Sequence, residues 1–193
     1  MKLALLTRFD RHAHRLRAMR EQFMRLGLDG ARLVELDATK SLPFHIEFNR
    51  ILVDAPCSGT GTLARHPEIR WRLKPEQLQE FHALQRSLLG AALERLAPGG
   101  RLVYSTCSLE PEENEDVVAE ALAGVPSIRR AEKSDAMRSI SAHLVPGVKA
   151  ASLFDDAGQF RTTTGAYQTD GFFAAILEKK NEDRCVEGAP SAC

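Results

Sequence analysis

The sequence predicts an α/β fold built on a parallel sheet. Three features carry that expectation. Short apolar segments alternate with amphipathic stretches long enough for helices, several apolar segments end in an aspartate or a cysteine-containing turn, and no internal repeat breaks the alternation. Lys2–Leu6 is a short apolar strand. Arg11–Leu26 is a helix with Leu16, Met19, Phe23 and Leu26 at helical spacing, and Gly27 supplies its C-cap. Ala31–Leu36 is a second strand ending at Asp37. Arg50–Val53 is a third, apolar through Ile51-Leu52-Val53 as in strands covered on both faces, and it ends at Asp54. From Pro75, the residues Leu78, Phe81, Leu84, Leu88, Ala92 and Leu96 form the apolar face of a long helix. Pro98-Gly99-Gly100 terminates it ahead of the strand Arg101–Ser105. Pro111 opens another helix, to about Ala123. Residues 131–164 read as a helix followed by surface loops, and Phe172–Leu177, after the turn Asp170-Gly171, is the closing strand. Residues 179–193 form a polar tail expected to be disordered.

Composition narrows the function classes. The chain has 193 residues, with 26 Lys+Arg against 26 Asp+Glu, so it is one ordinary domain with no global basic character. Any nucleic-acid surface must be local. Two segments qualify: Arg8–Arg25, with six arginines against Asp10 and Glu21, and Arg65–Lys74, with four basic residues against Glu68 and including Trp71. The first reads as a solvated helix face; the second could meet RNA or be purely structural. Apolar runs such as Phe172–Leu177 are too short to span a bilayer, and the run before Arg8 is too short for a secretory signal, so no membrane partner and a cytoplasmic location are expected. Cysteines at 57, 107, 185 and 193 include no Cys-x-x-Cys pair, which points to free thiols and no metal.

The most informative segment is Asp54-Ala55-Pro56-Cys57-Ser58-Gly59-Thr60-Gly61, directly after an apolar strand. Ser105-Thr106-Cys107-Ser108 repeats the arrangement, because a strand again ends in a Cys-containing turn and a helix follows. Alone, each cysteine reads as a small hydrophobe beside a sheet edge. Together they place two thiols at the carboxyl ends of strands, where α/β sheets collect ligands, facing one cleft.

These segments, with His66-Pro67-Glu68-Ile69-Arg70-Trp71 and Glu113-Asn114-Glu115, resemble the Nop/Sun family of RNA cytosine-5 methyltransferases over roughly Leu3–Leu177, nearest to its bacterial small-subunit ribosomal RNA members. The resemblance implies a Rossmann-like class I S-adenosylmethionine-dependent methyltransferase sheet. It also implies methyl transfer from S-adenosylmethionine to C5 of cytosine in RNA, with 16S ribosomal RNA as the expected partner. C5 of cytosine is a poor nucleophile until a thiolate adds to C6, which is why such chemistry needs a cysteine. By resemblance Cys107 is the nucleophile and Cys57 assists product release. Asp54 contacts the cytosine and borders the cofactor, Asp10 binds the ribose hydroxyls, and Asp37 contacts the adenine ring. Read locally, Asp10 could instead be a helix N-cap and Asp37 a turn aspartate. The helix after Pro111 would aid the Cys107 thiolate, while Glu110, Glu112, Glu113, Glu115 and Asp116 oppose it unless they merely occupy a helix's first turns.

The chain also departs from the family. There the cofactor site opens with a strand and a Gly-rich loop carrying Pro-Gly-Gly-Lys, which nothing before Leu3 supplies; Pro98-Gly99-Gly100 precedes Arg101 and is only a turn into a strand. Residues 1–178 are therefore expected to form a partial catalytic domain, truncated at its N-terminus and lacking the first, central strand. In the family's sheet that strand lies between those ending at Asp10 and Asp54. Its neighbours would either shift by about 4.8 Å to pair or stay apart with unpaired edges, weakening folding and cofactor affinity. Two other readings stand beside the enzyme: a non-catalytic RNA-binding remnant, and a DNA cytosine-5 methyltransferase using Cys57 as nucleophile, against which Thr106-Cys107-Ser108 argues.

Overall fold

The computed structural model describes residues 7–181, except 29, 41, 44 and 166–168. The predicted strand Lys2–Leu6 and nearly all of the predicted tail lie outside the described residues. In order, the chain forms β1 (Thr7–Asp10), α1 (Ala13–Arg25), β2 (Arg32–Glu35), β3 (Phe48–Asp54), α2 (Ile69–Arg72), α3 (Pro75–Glu94) and β4 (Leu96–Thr106). It continues with α4 (Glu115–Ala123), β5 (Ile128–Arg130), α5 (Lys133–Ser141), β6 (Phe160–Thr162) and β7 (Phe172–Lys179). Short 3₁₀ turns at Thr60–Thr62, Pro111–Glu113 and Ala150–Leu153 fill the connections.

The α/β class holds, but the sheet is mixed. β1 and β2 pair in parallel, as do β3 and β4. β7 runs antiparallel to β4 along one edge and antiparallel to both β5 and β6 along the other. Every second residue of β7 is buried from Phe173 to Leu177. Its sequence says where it is a strand; its direction depends on which neighbour it meets.

The strands ending at Asp10 and Asp54 stay apart. Among the described residues no ladder joins the β1–β2 pair to the sheet ordered β3-β4-β7-β5. The two approach through the edge-on rings of Phe9 and Phe48, with centroids 6.3 Å apart. β3 is thus an edge strand, and Leu52, in an apolar run expected to be covered on both faces, is 64% exposed.

Other boundaries shift for physical reasons. α1 buries Leu16 and ends before Gly27, whose φ of 68° is the left-handed C-terminal conformation; Leu26, expected on the apolar face, lies exposed beyond the helix. α3 ends at Glu94, ahead of Pro98-Gly99-Gly100, and Leu96 already belongs to β4. The glycines form an irregularity within that strand, where the β3–β4 register skips from Phe48↔Leu96 to Arg50↔Arg101. The deepest face of α3 is Gln85, Leu89, Ala92 and Leu93; of these, Leu89, Ala92 and Leu93 pack with Leu96, Leu102, Tyr104, Val117, Val118, Phe173 and Leu177 into the main core. Residues 131–164 are more than a helix and surface loops: Leu153 and Phe154 join Ala136 in a second apolar cluster, and Phe160–Thr162 adds a strand.

Candidate active site

The two cysteine segments meet. β3 and β4 are adjacent and in register, with Asp54 opposite Ser105, so the chain leaves both strands side by side. The backbone keeps the loops joined, since Ala55 N–H donates to the Ser105 carbonyl at 2.9 Å and Gly61 N–H to the Cys107 carbonyl at 2.9 Å. Gly61 N–H can approach because there is no side chain in the way. A Cβ there would lie 2.2 Å from the Gly171 carbonyl oxygen and 2.8 Å from that of Cys107. The result is a Cys57 Sγ–Cys107 Sγ separation of 3.3 Å, with both residues half-buried.

A thiol pair at that distance shares one proton asymmetrically. A hydrogen bond from the Cys57 thiol lowers Cys107 to about 7, against burial and the charges of Asp54 and Glu113, which act in the opposite sense. The same hydrogen bond, together with burial, pushes Cys57 well above the ordinary thiol range. As the pH rises through about 7, the favoured arrangement becomes a Cys57 thiol donating to a Cys107 thiolate. Cys107 alkylation by iodoacetamide, followed on its own peptide by mass spectrometry, should rise through a midpoint near pH 7, because only the deprotonated sulfur reacts. Cys57→Ala should move that midpoint up to about 8.5 or above, because burial and the charges of Asp54 and Glu113 remain. An unmoved midpoint would mean that the hydrogen bond does not stabilise the thiolate.

The carboxylate behind the thiols is Glu113. Its side chain is fully buried, and both oxygens accept hydrogen bonds from the two loops. Oε1 accepts from Ser58 N–H at 2.8 Å and from Gln85 Nε2 at 3.0 Å; Oε2 accepts from the hydroxyls of Ser58 and Ser108. Gln85 Nε2 also donates to the Pro56 carbonyl at 2.9 Å. Asn114 completes the frame, accepting from Thr106 Oγ1 at 2.6 Å and donating to the Ser108 carbonyl at 3.0 Å, while the Tyr104 hydroxyl donates to the Glu113 carbonyl at 2.7 Å. Of the five acids in this stretch, then, Glu113 is a structural acceptor. Glu115 pairs with Arg161. The helix α4 opens only at Glu115, so the turn at Pro111 is 3₁₀ and not its first turn.

Asp54 is exposed at the end of β3 and receives a 3.3 Å hydrogen bond from Ser105 Oγ. Its carboxylate is next to the thiol loops in the chain and open to a ligand. Asp10 and Asp37 lie in the other sheet, at or just beyond the carboxyl ends of β1 and β2, which the Leu36 N–H to Asp10 carbonyl bond at 3.1 Å ties together. Each uses Oδ1 for a local turn, Asp10 accepting from His12 N–H at 2.8 Å and Asp37 from Thr39 N–H at 3.0 Å. Burial would raise Asp10, but backbone and side-chain hydrogen bonds from His12 outweigh it and hold the carboxyl low. The hydroxyl and N–H of Thr39 do the same for Asp37. The structure brings Cys57, Cys107 and Asp54 to one sheet end, and it places Asp10 and Asp37 as a separate pair. Surface clefts along α5 and between α1 and β2 contain none of the five.

Sequence reasoning missed Ser58, Gln85, Ser108 and the role of Glu113. The serines carried a signal, since each directly follows a cysteine of the repeated turn. Gln85 did too: it stands between Phe81 and Leu89 at helical spacing, a polar residue on an apolar stripe. Glu113 stood in the Glu113-Asn114-Glu115 segment of the family resemblance, but nothing local marked it as the one acid that turns inward.

Comparison with known proteins accords with this geometry. Residues 1–178 match the family described as 16S rRNA methyltransferase RsmB/F. The chain is 40% identical over 133 residues to ribosomal RNA small subunit methyltransferase B of Shewanella oneidensis, covering 69% of this chain and 27% of that protein. It is 39% identical over 134 residues to the protein of the same name from Salmonella paratyphi B, with the same coverage. The chain thus spans about a quarter of the length of the curated relatives it matches. Among solved structures it is similar to NSun6 from Pyrococcus horikoshii with SFG, at a TM-score of 0.72 and 30% identity over 91% of this chain and 41% of that one. It is also similar to a methyltransferase homolog protein from Pyrococcus horikoshii, at a TM-score of 0.70 and 32% identity over 91% of this chain and 53% of that one.

Proposed function

The chain belongs to the RsmB/F family of 16S rRNA methyltransferases, and from that premise we propose that it methylates C5 of cytosine in 16S ribosomal RNA through a covalent adduct between Cys107 and C6. The single observation that carries this reading is the 3.3 Å thiol pair at the ends of adjacent strands. A lone nucleophile would need no second sulfur so close, whereas an adduct that must form and then break has a use for both.

The Cys107 sulfur attacks C6 with its lone pair, and the C5–C6 π electrons move toward the ring nitrogen N3. Asp54, exposed beside the thiol loops, is suited to hold a proton at N3 and so to favour addition. C5 then has enamine character. S-adenosylmethionine supplies, when bound, an electrophilic methyl group. After C5 has been substituted, its proton passes to solvent water, N3 gives up the proton that Asp54 held there, the C5–C6 double bond re-forms, and the sulfur departs with the electron pair of the S–C6 bond. The Cys57 thiol donates to that departing sulfur, which makes it a better leaving group.

The residues present suit the nucleoside half of this cofactor. Asp10 and Asp37 sit on neighbouring parallel strands, and their hydrogen bonds to His12 N–H and Thr39 run through Oδ1 in each case. An acceptor oxygen is what ribose hydroxyls and an adenine amino group require. The similar protein solved with SFG, an analogue of S-adenosylmethionine, supports the choice of cofactor.

The test is transfer of a labelled methyl group to 16S RNA lacking its own modifications, with digestion to nucleosides. Label recovered as 5-methylcytidine is the expected result; label on another atom or base overturns the proposed chemistry. The division into two sheets favours a second reading, a chain that binds RNA without turning it over. Salt-sensitive RNA binding with no incorporation at all would select it.

A further inference from the structure

α2 has only four residues, Ile69–Arg72, and they divide sharply between inside and outside. Ile69 is buried, and its Cδ1 lies 3.3 Å from where a Cβ on Gly59 would be, so the turn is seated directly on the Cys57 loop. Trp71 points the other way and is 85% exposed, more than any other large apolar side chain among the described residues. A tryptophan that filled core would not be left in water, so a purely structural role does not account for it.

The surroundings of Trp71 are cationic. Arg70, Arg72 and Lys74 are exposed and form no salt bridge within 4.0 Å to another described residue, although Arg72 acts on Glu68 at longer range; Arg65 pairs with Asp170 and Glu68 lies beside His66. The sequence neighbours of the indole are both exposed arginines, and 85% of the residue is open to water. Protein hot spots seat a tryptophan within a ring that excludes water. An open aromatic face flanked by guanidinium groups instead suits a nucleobase with phosphates on either side.

Building on the proposed methylation of RNA, we propose that Trp71 is a stacking platform for an unpaired base of single-stranded RNA near the target cytosine, with Arg70, Arg72 and Lys74 on its phosphates. Trp71 threads the strand toward the thiol loops because α2 rests on the loop that carries Cys57. A base in a duplex cannot reach such a face, so the platform selects unpaired RNA.

Trp71 is the single tryptophan of the chain, which makes its fluorescence a direct probe. Titration of the whole chain with a single-stranded RNA dodecamer should quench that emission in step with the anisotropy of the labelled RNA, and a fully paired duplex should not. By anisotropy, Trp71→Ala should weaken binding about 5- to 150-fold while Trp71→Phe keeps most of it. Arg70→Gln combined with Arg72→Gln should reduce the salt slope by about 1.4. RNA binding that leaves the emission unchanged overturns the platform without touching the methylation chemistry. Equal quenching by duplex overturns it in favour of a general polyanion surface. An emission shift that grows with protein concentration, in the absence of RNA, overturns it in favour of a second copy of the chain. Absence of any RNA binding overturns the platform and the methylation reading together.

Discussion

Cys57→Ala is expected to leave the chain covalently joined to RNA, visible as a slow band on a denaturing gel after incubation with 16S RNA and S-adenosylmethionine. The reason lies in the 3.3 Å hydrogen bond between the sulfurs. Without the Cys57 thiol, the Cys107 thiolate loses the interaction that holds its pKa near 7, and a sulfur of higher pKa is a poorer leaving group. Elimination slows, and the adduct accumulates. Cys107→Ala should form no adduct and should lose turnover completely, since burial keeps the neighbouring Cys57 sulfur protonated and so a poor nucleophile. The reverse pattern, with the adduct lost in Cys57→Ala and retained in Cys107→Ala, would transfer the nucleophile to Cys57, as the DNA-methylating reading requires.

The second large effect is expected at Glu113. Truncation to alanine removes the common acceptor of Ser58 N–H, the Ser58 and Ser108 hydroxyls and Gln85 Nε2, all in a buried setting. Leaving such groups unpaired costs about 3–5 kcal/mol. For a chain of this size that corresponds to a fall in Tm of roughly 6–20 °C. The isostere Glu113→Gln keeps the volume and the acceptor for Ser58 N–H and Gln85, and its N–H₂ can donate to serine hydroxyls that turn to accept, so it should recover part of the loss. Ser108→Ala removes one donor while Ser58 and Gln85 still satisfy the carboxylate, and should cost only about 1 kcal/mol. Because Glu113 holds the Cys57 loop against the Cys107 loop, its loss should also separate the sulfurs, and losing the thiol hydrogen bond should raise the pH midpoint of Cys107 alkylation by more than removing the smaller effect of the Glu113 charge lowers it. A Glu113→Ala chain that melts with the wild type, with that midpoint unmoved, would show that the backbone bonds alone hold the two loops.

The elements differ in how far each could be read in advance. α1 and α3 were legible because a helix closes its hydrogen bonds within its own segment and writes its buried face as a local period. The cysteine turns were legible for a related reason: an apolar strand, a proline and a glycine act over a few residues. β7 was legible as a strand but not as an antiparallel one. Residues 160–162 and the burial of Leu153 and Phe154 were invisible, since each depends on a partner distant in the chain.

At the candidate site the same division holds. Sequence alone determined that two thiols stand at strand ends, that an aspartate accompanies the first, and that acids cluster beyond the second. Only the tertiary structure decided that the sulfurs lie 3.3 Å apart, that Glu113 of all the acids turns inward to bind both loops, that Trp71 faces water, and that β1 and β3 do not pair. The physical reason is that chain identity fixes what a side chain can donate, accept or exclude. Its burial, its partner and hence its protonation are set by what the fold brings across from elsewhere.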